Sequence, residues 1–134
     1  MKKFIAVSLV AIASGFSTAA ISAGEFGSAA EAKAMLEKAV VAVKANKAAA
    51  LGQFAKGEGG FRDRDLYPFC GGPDGNFSAH PSLTGKSMKD LMSKANEPIG
   101  AKLYEAAKEG SIAEVPYMWP RPGTTEPVQK YSYD

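Results

Sequence analysis

The clearest pattern of apolar and polar positions lies in "SAAEAKAMLEKAVVAVKANKAAALGQFAKGEGG", residues 28–60. Leu36, Val40, Val43, Leu51 and Phe54 follow at steps of three, four or eight, which keeps them on one side of a helix. Ala, Leu, Lys and Glu fill most of the rest, and all are strong helix formers. Ser28 and Glu31 stand at capping-box spacing, and Gly57, Gly59 and Gly60 stop the run. The spacing predicts one helix over 29–56, on the order of 40 Å long at 1.5 Å per residue. A domain this small does not cover that length. The first half is therefore expected to project, or to pack against another copy, although Asn46 and Lys47 interrupt the seam.

The period then changes from helical to two. In "FRDRDLYPFCGGPDGNFSAHPSL", Leu66 to Cys70 reads as a short strand and Asn76 to His80 as its return. Pro73, Asp74 and Gly75 form the turn, since proline presets one dihedral and glycine supplies a positive φ. Alternation places Asp65, Tyr67 and Phe69 on one face and Leu66, Pro68 and Cys70 on the other. On the return strand Phe77 and Ala79 oppose Asn76, Ser78 and His80. Pro68 marks an edge strand or a bulge. Ser87 then caps a short helix with Met88, Leu91 and Met92. Pro98 opens a second helix with Ile99, Leu103, Ala106 and Ala107, which Gly110 stops. A second hairpin follows, from Ile112 to Trp119 and from Val128 to Tyr133, with Val115, Tyr117 and Trp119 on one face. Helix, hairpin, two short helices and hairpin predict an α+β domain. Its four strands are expected to join in one small antiparallel sheet, with the long helix on one face and room for a pocket on the other.

The first residues do not belong to that domain. Lys2 and Lys3, an apolar stretch from Phe4 to Ala13 and the small residues after it have the layout of a secretory signal peptide. Cleavage is expected after Ala23, with Ala20 as the second choice, leaving a single domain over 24–134. The competing reading is an uncleaved anchor, since no residue from Phe4 to Gly24 is charged and nearly twenty residues can span a bilayer. Ser14, Gly15, Ser17, Thr18 and Ser22 dilute its second half and favour cleavage. The product is expected to be periplasmic or secreted.

Charge narrows the partners. The chain carries 16 Lys and Arg against 14 Asp and Glu, and loss of Lys2 and Lys3 brings the balance to zero. A nucleic-acid binder would show a basic surplus. Cys70 is the only cysteine, so no internal disulfide forms; the thiol is either buried or paired with another chain.

The runs "DRDLYPFCGGPDGNFSAHPSLTGKSMKDL", "YEAAKEG" and "YMWPRPGTTEPVQKYSY" resemble the single Cache domain, type 2, over about Glu31 to Tyr133. Such domains are extracytoplasmic small-molecule sensor modules of bacterial chemoreceptors and histidine kinases. The resemblance implies a long N-terminal helix on a PAS-like antiparallel sheet with a pocket for a small molecule, often a short organic acid. It also implies signalling or chemotaxis-type sensing, and a membrane receptor or kinase that reads the bound state. Relatives continue into a membrane helix and a signalling domain, and their sheet has a further closing strand; none of these is expected within residues 24–134.

Within that frame Tyr67, His80, Tyr117, Trp119 and Lys130 are the candidate ligand-binding residues. Tyr117 and Trp119 offer flat walls with polar tips, and Lys130 supplies the charge that a carboxylate needs away from water. His80 and the Tyr67 hydroxyl would add hydrogen bonds. Each also has a plainer role: core aromatics for Tyr117 and Trp119, a turn residue for His80, a solvated strand lysine for Lys130. Arg62, Asp63, Arg64 and Asp65 read mainly as a solvated, mutually paired run, and Arg121 as a loop residue.

Catalysis finds little support in the residue types. There is no G-x-S-x-G elbow, and one His with one Cys cannot supply a usual metal cluster. "GGPDG" is a turn, not a phosphate loop, and no cofactor attachment motif is present. The remaining alternative is a structural or interaction protein that pairs through its long helix. A weak homodimer through Leu36 and Val40 is expected in either case.

Overall fold

The computed structural model describes residues 24–133; the expected signal peptide over residues 1–23 lies outside them. The chain is α+β, in the order α1 (Ala29–Ala45), α2 (Lys47–Lys56), β1 (Cys70–Gly71), β2 (Phe77–Ala79), α3 (Ile99–Ala106), β3 (Glu114–Pro120) and β4 (Pro127–Tyr133).

The helix starts as its capping box requires. Ser28 Oγ accepts from the Glu31 N–H at 3.2 Å, and Glu31 Oε2 accepts from the Ser28 N–H at 2.7 Å. It does not run on to Lys56. Asn46 has φ −157° and ψ 95°, so it leaves the helical region and divides the run in two. Its N–H closes α1 on the Ala42 carbonyl, while its Oδ1 accepts from the Ala49 N–H at 3.1 Å and opens α2. Asparagine competes for exactly such backbone donors, which makes it a good N-cap and a poor interior residue. The break corrects the expected single helix. It also removes the need for a projecting half, because α1 packs against α2 and against β4.

The two hairpins form separate two-stranded antiparallel sheets among the described residues, not the expected four-stranded one. In the first, Gly72 donates to the Asn76 carbonyl at 2.8 Å around the Pro73-Asp74 turn, and Gly75 takes φ +84°. The ladder is short, and its register slips between Cys70 and Gly71. The second runs unbroken from Glu114 opposite Tyr133 to Pro120 opposite Pro127. In a two-stranded ladder each strand is an edge, which is where proline is tolerated. Pro116, Pro120 and Pro127 in turn leave the outer edges short of donors for a third strand. The first of the two expected middle helices is a turn: Ser87 Oγ accepts from Asp90 N at 3.2 Å, but no helix follows.

Two apolar clusters result. One joins α1, α2 and β2 through Ala39, Ala50, Phe54, Phe61 and Ala79. The other joins α3, β2 and β3 through Phe77, Met88, Ile99, Leu103, Val115 and Tyr117. Phe77 and Ala79, expected to share a face, are both buried but divide between the two clusters.

Candidate functional site

Between the clusters lies a cavity of about 920 Å³, within the range of small-molecule sites. One wall is α1, with Met35, Ala39 and Val43 at successive steps of four. The facing walls come from residues 65–71, from Met88 and Leu103, and from the β3–β4 hairpin.

Its polar end is assembled from distant parts of the chain. Asp63 and Leu66 exchange backbone hydrogen bonds of 3.1 and 2.8 Å across a tight turn. That turn puts Arg64 at φ +54°, in the left-handed region. The Arg64 guanidinium donates to the carbonyls of Gly24 and Phe26, both at 2.9 Å, and pairs with Glu31 at 2.6 Å and Asp63 at 3.0 Å. These hydrogen bonds hold both carboxyls below their usual range and raise the guanidinium's own pKa further. The segment 24–28 is thereby strapped across the end of the cavity. Asp65 completes the strap, accepting from the Gly27 N–H at 2.7 Å and from Arg121 Nε at 3.3 Å. The Arg121 guanidinium also lies 3.7 Å from the centre of the Phe26 ring. Arg121, expected to stay in its loop, is therefore part of this wall.

Three of the five candidate residues line the cavity: Tyr67, Tyr117 and Lys130. Tyr117 and Lys130 are cross-strand partners on β3 and β4. The Tyr117 hydroxyl bonds to Ser132 Oγ at 2.6 Å, in the interior. Lys130 extends its ammonium to 4.8 Å from the centre of the Tyr67 ring. Burial lowers the Lys130 pKa, with Asp65 pulling the other way and Arg121 and Arg62 adding to the fall. Burial is also the chief cause that raises the Tyr67 hydroxyl.

The other two stand behind this wall. His80 and Trp119 border a space of about 10 Å³, shared with Tyr67 and Tyr117, hardly enough for one water. Trp119 packs on the Phe77–Leu103 cluster. His80 is 6 % exposed, and its Nδ1 accepts from the backbone N–H groups of Ser82 and Leu83 at 3.0 and 3.1 Å. The neutral ring therefore carries its proton on Nε2, and the imidazole packs among the rings of Tyr67, Phe69 and Phe77. Burial, then the charge of Lys130, lowers its pKa to about 4. It holds the 80–84 turn together with Thr84, whose Oγ1 accepts from the His80 N–H and donates to the His80 carbonyl.

Sequence reasoning missed Phe26, Gly27 and Asp65 as wall residues. The Gly27–Asp65 and Arg121–Asp65 contacts span 38 and 56 residues, and no local periodicity signals them. Cys70 is half-buried on the cavity wall with its thiol pKa raised by burial. Among the described residues no group of three or more His, Cys, Asp or Glu is placed to hold a metal ion. No family model, curated protein or solved structure matches the chain.

Proposed function

We propose that the protein is an exported small-molecule-binding module that takes an organic acid, a sensor of the kind its resemblance to the single Cache domain implies. One observation carries this reading. Lys130 holds a half-buried ammonium against Tyr67 on the wall of a large apolar cavity, with no ion pair to a carboxylate among the described residues. A charge kept away from water at that cost is best offset by an anion that arrives with the ligand. Of the other charged groups on the walls, Asp65 is engaged by Arg121 and Glu114 by the Tyr133 hydroxyl at 2.8 Å, while Lys44 is exposed to water.

In this reading α1 and α2 together stand for the family's long helix, and β3–β4 stands for two strands of its PAS-like sheet. The bound state would be read by a membrane receptor or kinase, in the periplasm or outside the cell. The reading is of a binder and not an enzyme; it is supported by His80, the one histidine, which has Nδ1 committed to two backbone donors and stands off the cavity wall.

The test is a thermal-shift screen of carboxylates, matched alcohols and amines. An acid at 100 times its dissociation constant adds about 2.7 kcal/mol of stability. A screen in which amines and alcohols stabilise as well as acids overturns the proposal.

The alternative, pairing of two copies through the N-terminal helix, draws on a separate observation. Val41 is 67 % exposed on α1 and stands off the cavity wall.

A further inference from the structure

The acid-binding reading leaves most of the cavity unexplained. A carboxylate needs only the Lys130 end, yet the space of about 920 Å³ continues between the two apolar clusters. Met35, Ala39 and Val43 face it from one cluster, Met88 and Leu103 from the other. These side chains offer water few hydrogen-bond partners, so water in the seam is poorly held and readily displaced by an apolar group. The clusters share the first hairpin: β2 gives Phe77 to one and Ala79 to the other, and Phe69 and Cys70 divide between them in the same way. An apolar body lying in the seam would touch both and join them into one core.

Resting on the acid-binding reading, we propose that the ligand is an amphipathic monocarboxylate. Its single acid group sits at Lys130 and Tyr67, and its hydrocarbon body lies between α1 and the Met88–Leu103 wall. One acid group suffices, because Lys130 is the half-buried cation that no carboxylate of the described residues pairs with. A hydrocarbon body suits the rest, because burying each methylene contributes about 0.8 kcal/mol, or about fourfold in affinity.

Cys70 supplies a built-in reporter. It is the only thiol of the chain and lies half-buried on this same wall, packed beside the Ala39–Phe54 cluster. Acetate, butyrate, hexanoate and octanoate are titrated by calorimetry on the full exported chain, with octanol as the uncharged control. Alkylation of Cys70 by N-ethylmaleimide is followed in parallel. Affinity is expected to rise about fourfold per methylene, octanoate to bind more tightly than octanol, and Cys70 alkylation to slow as octanoate saturates. In Lys130→Gln the octanoate advantage over octanol disappears while octanol binding persists.

If acetate and octanoate bind equally, the hydrocarbon seat is wrong and the acid-binding function stands. If octanoate binds without slowing Cys70 alkylation, its body lies elsewhere and the inference again fails alone. If octanol equals octanoate in the unaltered protein, acid recognition itself fails, and both proposals fall.

Discussion

The Lys130 ammonium lies 4.8 Å from the centre of the Tyr67 ring, poised over its face. A cation–π contact of this kind contributes about 0.5–1 kcal/mol at partly exposed sites, which does not fully offset the loss of water around an ammonium. The downward shift of the Lys130 pKa is the mark of that imbalance. The side chain is thus costly by itself, and the proposed function gives that cost a use, since a bound anion would offset it.

Replacing Lys130 by Met separates these two effects. The stem still packs, but the desolvated charge is gone, so the empty protein is expected to be as stable as before or to gain up to about 1 kcal/mol. Stabilisation by octanoate should fall in the same variant to the level that octanol gives. Urea unfolding with and without octanoate reads both quantities. A variant that keeps the full octanoate response would show that Lys130 does not receive the acid group.

His80 gives the protein a pH dependence with a definite sign. Its pKa falls from 6.5 to about 4 on folding, so in acid the unfolded chain takes up a proton that the folded chain refuses. The contribution is intact above about pH 6.5, shrinks as pH falls towards 4, and is constant below that. Between pH 7 and pH 5 the loss is about 2 kcal/mol by linkage. His80 is the only histidine in the chain, so no second imidazole blurs the window. In His80→Asn the amide oxygen can still accept from Ser82 and Leu83, and the slope between pH 7 and pH 5 is expected to flatten. Urea midpoints at the two pH values measure it. An anion beside Lys130 offsets one of the two causes that depress His80, so octanoate should also raise the His80 pKa, visible in its imidazole NMR shifts.

How far the sequence anticipates this arrangement depends on the range of the interactions involved. Ser28 with Glu31, the Pro73-Asp74-Gly75 turn, the Pro98 start of α3 and the Val115–Tyr117–Trp119 face all rest on neighbours within a few residues, and each was readable. Asn46 was visible as an interruption, but not as a cap that ends one helix and starts the next; its two hydrogen bonds outweigh the strong helix formers on either side. Whether two hairpins share a ladder is decided by which edges meet, and alternation within a strand carries no such information. Tyr117 and Lys130 meet because they pair across the second hairpin, and from there Lys130 reaches the Tyr67 ring. His80 and Trp119 have the same composition signal, yet end behind the wall, since buried aromatic cores and aromatic ligand walls look alike in one dimension.

Two glycines in helices lead to opposite expectations for the same substitution. Helix propensity alone favours alanine over glycine by about 1 kcal/mol. At Gly52 in α2 an added Cβ meets nothing within 4 Å, so Gly52→Ala should realise most of that gain. At Gly100 in α3 the Cβ would run into the Met88 carbonyl oxygen and fall 3.2 Å from Leu91 Cβ. Gly100 N–H also donates to the Leu91 carbonyl at 3.1 Å, fixing the approach. The obstacle is backbone, which cannot rotate aside. Gly100→Ala is therefore expected to destabilise by about 2 kcal/mol or more despite the better propensity. Chemical denaturation of the two variants settles the comparison; a stabilised Gly100→Ala would mean that α3 does not sit against the 88–91 turn as described.

Self-association is the remaining point on which the helix decides. Leu36 lines the cavity together with Val40, so a charge placed at Leu36 would disturb ligand binding as well as any pairing of helices. Val41 is cleaner: it is 67 % exposed and not on the cavity wall. Covering a valine in an interface contributes roughly 1.5–3 kcal/mol, enough for weak association when two copies contribute it. The alanines and lysines around it add little apolar area per turn, which holds the affinity down. Sedimentation velocity across a concentration series is expected to show a monomer in equilibrium with a dimer at the highest concentrations. Val41→Lys should give a monomer throughout and leave the octanoate-dependent thermal shift unchanged. If Val41→Lys sediments like the parent at every concentration, α1 is not the contact surface, and any dimer must form through another face.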